Sequence, residues 1–307
     1  MIKFAFVVLS YSEPGQLLRL TRMLAQLYEN PPILLHHNFT QCPLDVSAFP
    51  SGCQFLHPHI DTGWGDISVV RAGLAAIEAL YQRDGWDWFF LLSGSDYPVA
   101  SPESISRELL LADFDVLLDR RLVEYARGGG IVGPDEKGEF SYSMRSWPSA
   151  AYDRYITHHV WYPSLTKRFE RCKRVFKIRR PLWLQILGKW PANFRVYGGE
   201  FWFGGNRRTA EVLSRHPQKR AILEFFTFKA IPEEATYHTI IGNSDLVVSP
   251  LGNRRFSKWP GSTDNAHPKW LSTADFSEIM NSNAWFARKF LPGDPVLDLL
   301  DEHLGVA

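Results

Sequence analysis

Cysteine is scarce in this chain. Three residues, Cys42, Cys53 and Cys172, stand among 307. The number is odd and the spacing fits no metal site, so a disulfide scaffold and a zinc module are excluded and a reducing compartment is expected. Excess charge is lacking too: 34 basic side chains meet 33 acidic ones, which argues against a general nucleic-acid binder. No membrane-length apolar run opens the chain. MIKFAFVVLSYSEP carries one lysine and no small-residue cleavage site after it, and its length suits a first strand. The first strand-to-helix turn, Ser10 to Pro14, lacks G-x-G-x-x-G, which speaks against a nicotinamide dinucleotide. Neither a P-loop nor a G-x-S-x-G elbow occurs, and there is no internal repeat or low-complexity tract.

What is present reads as α/β. Phe4 to Leu9 is an apolar strand, and Pro14 to Leu27 carries leucines at helical spacing. Ile33 to Leu35 is a second strand ending in His36-His37-Asn38, Ile67 to Leu80 an amphipathic helix, and Trp88 to Leu92 an unbroken apolar strand. That rhythm predicts a doubly wound, mostly parallel sheet flanked by helices. Further on, Val196 to Phe203 is strand-like, Arg208 to Ser214 helical, and Pro232 starts another helix. Between about 152 and 190 lies an insertion in which cations such as Lys167, Arg171, Arg179 and Arg180 interleave with aromatics such as Trp161, Phe169 and Trp183. It is either a solvated face or a surface for anionic lipid or an acidic acceptor.

Five segments carry chemistry. Asp96 follows the Trp88 strand on the small-residue turn Ser93-Gly94-Ser95, where open sheets bind ligands; it is a strand-end cap or a ligand contact. Asp61-Thr62-Gly63-Trp64-Gly65-Asp66 opens a helix with a tight turn and an aromatic face, suited to a nucleotide or sugar. Gly198 to Phe203 sets Glu200 among aromatics. Pro232-Glu233-Glu234 places two carboxylates in a first helical turn, either complementing the dipole or supplying a general base. Arg254-Arg255-Phe256 and Phe286 to Phe290 offer cations that snorkel or neutralise a diphosphate. Asp113-Phe114-Asp115 spells the D-x-D of metal-dependent glycosyltransferases, but it lies on the run after the Pro102 helix, away from the Trp88 strand end, and weighs toward a structural role.

In order along the chain, FVVLSYSEPGQLLRLTRML, TGWGDISVVRAGLAAI, WFFLLSGSDYPV, GGEFWF, PEEATYHTIIGNS and RRFSKWPGSTDNAHPKWLSTADF with FARKF resemble the core-2/I-branching β-1,6-N-acetylglucosaminyltransferase family, which includes the peptide O-xylosyltransferases. The resemblance implies a single GT-A-like domain over 1–307, with its diphosphate-binding segment at about 250–307. It also implies transfer of GlcNAc or xylose from a UDP-sugar to a glycan or glycolipid hydroxyl, inversion at the anomeric carbon, and neither metal nor other cofactor. By position, Glu234 matches the catalytic base, and Arg255 (or Arg254, one position off) with Lys289 matches the diphosphate clamp. Leu9, Asn38, Thr62, Trp64 and Asp96 fall on the donor side, Glu200 and Trp202 on the acceptor side. Asn38 stands where the family usually has Asp. The absence of the animal members' cysteine framework and anchor implies a bacterial, cytoplasmic enzyme in surface-glycan assembly, peripheral to an anionic membrane through residues 152–190. Two rivals remain: a metal-dependent enzyme using Asp113 and Asp115, and an inactive glycan- or nucleotide-binding protein of this fold.

Overall fold

The computed structural model describes residues 2–126, 130–132, 158–160, 176–178, 191–227, 229, 231–259 and 267–306. The insertion expected at 152–190 lies outside the described residues except for two short paired strands within it, β9 (His158–Val160) and β10 (Phe176–Ile178).

The core is a six-stranded sheet. Its parallel half runs β3 (Cys53–Phe55), β2 (Ile33–His37), β1 (Phe4–Ser10), β4 (Trp88–Ser93), and is extended by β12 (Gly204–Asn206) and β6 (Val116–Leu117). β12 is antiparallel to both its neighbours, so β6 again runs with β4. Both central strands are buried along their whole length, and their period-two alternation divides the core in two. Ala5, Val7, Phe89 and Leu91 face α2 (Ile67–Tyr81). Phe4, Phe6, Val8, Phe90 and Leu92 face α1 (Pro14–Leu27) and the C-terminal α8 (Val296–His303). Helices thus cover opposite faces, as the sequence predicts for a doubly wound sheet. The strand order reverses between β1 and β4, which makes a crevice at their carboxyl ends.

Two smaller sheets flank that crevice. β7 (Arg121–Ala126) pairs with β8 (Gly130–Val132) and with β11 (Val196–Gly198). β5 (Asp96–Pro98) pairs with β14 (Phe286–Arg288), which pairs with β13 (Arg255–Ser257). The remaining helices are α3 (Pro102–Leu110), α4 (Arg207–Arg215), α5 (Lys219–Phe226), α6 (Thr236–Gly242) and α7 (Phe276–Met280).

Two sequence expectations need correcting. Val196 to Phe203 is not one strand: Gly199–Phe203 leaves β11, and the chain re-enters the main sheet as β12. Pro232 starts only a short 3-10 turn, Pro232–Glu234, and the regular helix begins at Thr236. No helix among the described residues is long and apolar enough to cross a membrane.

Candidate active site

The crevice wall begins where β1 and β2 end. Leu9 is nearly buried and its carbonyl accepts from Gly94 N at 2.9 Å, so the turn after β4 closes directly on β1. Asn38 is buried and donates through Nδ2 to the Thr62 carbonyl and hydroxyl, each at 3.1 Å, pinning the loop after β2 to the turn before α2. His36 supports the same loop by accepting from Ile60 N at 3.0 Å. Burial, then the nearby His59, pulls its pKa down to about 4, so it accepts as a neutral ring. In the turn itself, Asp66 is the N-cap of α2, accepting from Ser68 N at 2.8 Å, and Gly65 takes the left-handed conformation that glycine permits. Trp64 is left 48% exposed, its ring edge-on to His267 at 5.5 Å.

Below the crevice sits an ion cluster. Asp96 is fully buried and meets Arg255 Nη1 at 2.5 Å and Arg288 Nε at 3.2 Å; the Ser93 hydroxyl also donates to it. Arg255 is just as deeply covered, with a second bond to the Leu91 carbonyl at 2.6 Å and its plane near Phe286. Burial lowers its pKa to about 10 against the pull of Asp96, so it stays charged at neutral pH. Arg254 is spent on Glu108, the Asn283 carbonyl and the face of Trp285. The two arginines singled out in sequence are therefore wall residues.

The cations nearer open space are Arg288 and Lys289. Arg288 lies over the Trp202 ring at 4.9 Å and Lys289 over Trp270 at 4.1 Å. Burial and the charge of Arg288 both lower the Lys289 pKa, and the His267 pKa falls through burial and these same two cations. Such a cluster of positive charge favours an anion.

Glu234 approaches from the other side. Its turn is held to the turn before α2 by Ile231 N donating to the Gly65 carbonyl at 3.2 Å, and to β11 by Gly199 N donating to the Glu234 carbonyl at 2.9 Å. Glu233 is buried, whereas Glu234 is half-buried. Tyr237 fixes the following helix by donating to the Val70 carbonyl at 3.0 Å, in a space that only a glycine at 73 leaves. Next to Gly199, Glu200 accepts from Asn253 Nδ2 at 2.7 Å and its carbonyl bonds His238 Nε2 at 2.9 Å. Trp202 is buried against Phe201 and beneath Arg288. Asp119, Glu200, Asn253 and Arg255 line a cleft of about 360 Å³. Burial, reinforced by Glu200, pushes the Asp119 pKa up to about 6.

Apart from Asp113 and Asp115, the residues singled out from sequence lie on the turns and strands just described, which are joined to one another by these contacts. Sequence reasoning named Arg288 only among the cations of Phe286 to Phe290, and did not single out Asp119, Asn253, His267 or Trp270. The alternation of Phe286, Arg288 and Phe290 was a readable sign that Arg288 shares the ring-packed face of its strand; Asp119 and Asn253 are brought in by pairing alone. Asp115, of the D-x-D, is used elsewhere. It accepts from Asn206, Arg208 and Val247 N, each at 2.9 Å, at the amino end of β6 and away from the crevice. Among the described residues no three His, Cys, Asp or Glu side chains gather as a metal site.

Residues 4–114 match the family model described as Core-2/I-Branching enzyme. The chain is 25% identical over 320 residues to beta-glucuronosyltransferase GlcAT14B of Arabidopsis thaliana, an alignment covering 98% of this chain and 66% of the relative. It is 24% identical over 264 residues to xylosyltransferase 2 of Rattus norvegicus, covering 79% of this chain and 26% of the relative. The chain therefore spans just under two thirds of the plant protein and about a quarter of the rat one. Among solved structures, mannose-1-phosphate geranyltransferase from Thermus thermophilus covers 81% of this chain, and 70% of its own, at 14% identity and a TM-score of 0.29.

Proposed function

We propose, from the chain's match to the core-2/I-branching family, that it is an inverting glycosyltransferase that moves a sugar from a UDP-sugar to an acceptor hydroxyl without a metal. One observation carries this reading: the turn of the half-buried Glu234 is hydrogen-bonded to Gly199 at 2.9 Å, and Arg288, next to Lys289 in the chain, lies over Trp202, so carboxylate and cations are tied from separate elements to the same short segment. Glu234 takes the proton of the acceptor hydroxyl as that oxygen forms its bond to the anomeric carbon. The bond from that carbon to the phosphate oxygen breaks on the opposite face, and its electron pair leaves with UDP. Arg288 and Lys289 offset the charge that develops there; a preorganised donor aimed at such charge is worth roughly 3 kcal/mol. Asp96 acts from behind, by holding Arg288 Nε, and Arg255 fixes Asp96 in turn.

The donor lies along Leu9, Asn38, Thr62 and Trp64, and the acceptor along Trp202, Glu200 and Asp119. The D-x-D rival is disfavoured because Asp115 is saturated at the other end of the sheet. The donor sugar is xylose, GlcNAc or, by analogy with the plant relative's name, glucuronic acid. UDP release measured with each UDP-sugar, with and without EDTA, tests the proposal. Turnover with at least one donor that survives EDTA supports it. Loss in EDTA with recovery in Mn²⁺ overturns the metal independence, and no UDP from any donor, with or without Mn²⁺, favours a binding protein.

A further inference from the structure

Lys289 is an unusual cation to leave at the centre of a site. Among the described residues no carboxylate lies within ion-pair distance of it, and its charged neighbour is Arg288. Its ammonium is partly desolvated, which together with Arg288 disfavours the charged form. A four-carbon side chain in that setting would swing toward water. What opposes this is the face of Trp270, 4.1 Å from Nζ to ring centroid. The ring is tied to its partner through the backbone: Leu271 N donates to the Lys289 carbonyl at 2.9 Å, and Leu271 bridges Phe290 in parallel register. Trp270 is nonetheless 45% exposed, so it is not placed there to fill the core.

We propose that Trp270 is a positioning residue that holds the Lys289 ammonium ready for the donor diphosphate. The ring attracts the charge through its quadrupole without neutralising it, as a carboxylate would, so the lysine is fixed in place yet remains available to an incoming anion. This rests on the reading of the crevice as a UDP-sugar site.

The test is a double-mutant cycle on UDP affinity, read by calorimetry, with Trp270→Leu, Trp270→Phe, Lys289→Ala and Trp270→Leu/Lys289→Ala. A cation–π contact of ordinary strength predicts that Trp270→Leu weakens UDP binding about 3- to 30-fold. Trp270→Phe, which restores a ring, should stay within about 3-fold of wild type, and the double variant should bind no more weakly than Lys289→Ala alone. A second measurement does not depend on UDP: after reductive ¹³C-methylation, the Lys289 dimethylamino signal, assigned by its loss in Lys289→Ala, should be shifted upfield by the ring and should lose that shift in Trp270→Leu. Wild-type affinity in Trp270→Leu, losses that add across the cycle, or an unshifted Lys289 signal in wild type would each overturn the proposal. If wild type shows the upfield signal but binds no UDP, the donor reading fails and the proposed role falls with it, an outcome seen from wild type alone.

Discussion

Asp96→Asn separates two roles for the most deeply buried carboxylate of the site. From sequence Asp96 belongs to the donor side; in the structure it is fully covered and faces Arg255, itself 2% exposed. Asparagine keeps the shape and one acceptor but removes the charge that compensates a buried guanidinium. Breaking one side of a buried pair typically costs ~3–5 kcal/mol. At roughly 2–4 °C of melting temperature per kcal/mol, the expected fall is about 6–20 °C. Because Arg288 Nε also leans on Asp96 at 3.2 Å, UDP affinity should fall as well, through a loosened cation. The variant Asp96→Asn/Arg255→Met, which removes both charges, should regain most of the melting temperature, since a buried pair replaced by apolar groups is often neutral. Thermal unfolding by circular dichroism, with UDP titration on the same samples, provides both readouts. A melting temperature within about 2 °C of wild type combined with lost UDP binding would refute the reasoning, because the carboxylate would then serve the ligand rather than the wall.

Other outcomes follow from the same geometry. Glu234→Gln should keep UDP affinity while turnover drops ~10²–10⁴-fold, the usual cost of losing a general base; a dead Glu233→Gln beside an active Glu234→Gln would reassign the base. Asp119 has its pKa raised to about 6 in the fold, so the folded state holds the extra proton between its ordinary value and 6, and wild-type stability falls as pH rises through that window. Asp119→Asn should therefore become progressively more stable than wild type from about pH 4 to 6 and level off above, by on the order of 1–3 kcal/mol in urea melts. His36 has the opposite sign: with its pKa lowered from 6.5 to about 4, the unfolded chain takes up the proton first as pH falls. Stability should decline between about pH 6.5 and 4, by up to about 3 kcal/mol, and His36→Gln, which can still accept from Ile60 N, should flatten that slope.

Much of this was legible in the chain. The βαβ rhythm pointed to the parallel half of the sheet because β1, β2 and β4 are buried on both faces and so read as largely apolar runs, whereas the short, half-exposed β3 gave no such signal. The turn that carries Glu234 was legible from Pro232, which opens a 3-10 turn followed by a helix. Arg255 shows what reading along the chain leaves open. A basic residue beside aromatics looks the same whether it faces a ligand or a buried aspartate 159 positions away, and only the pairing of β14 with β5 decides between them. Gly199–Phe203 failed for a related reason: its aromatics have strand-like character, but Gly199 fits so tightly against Asp119, where a Cβ would lie 1.9 Å from the carbonyl oxygen, that the chain must turn out of the ladder.

The antiparallel contact of β7 with β11, Val123 opposite Val196, has a consequence for how such a chain can diversify. Everything between these strands leaves and re-enters through a doorway that is itself latched by hydrogen bonds. Lengthening a chain closed at such a point is cheap, about 0.6 kcal/mol for each doubling. Changes of length between Val132 and Pro191 therefore cost the fold little while β8, which pairs with β7, and Phe194, which is buried in the core, stay in place and Glu200, just past the doorway, keeps its address.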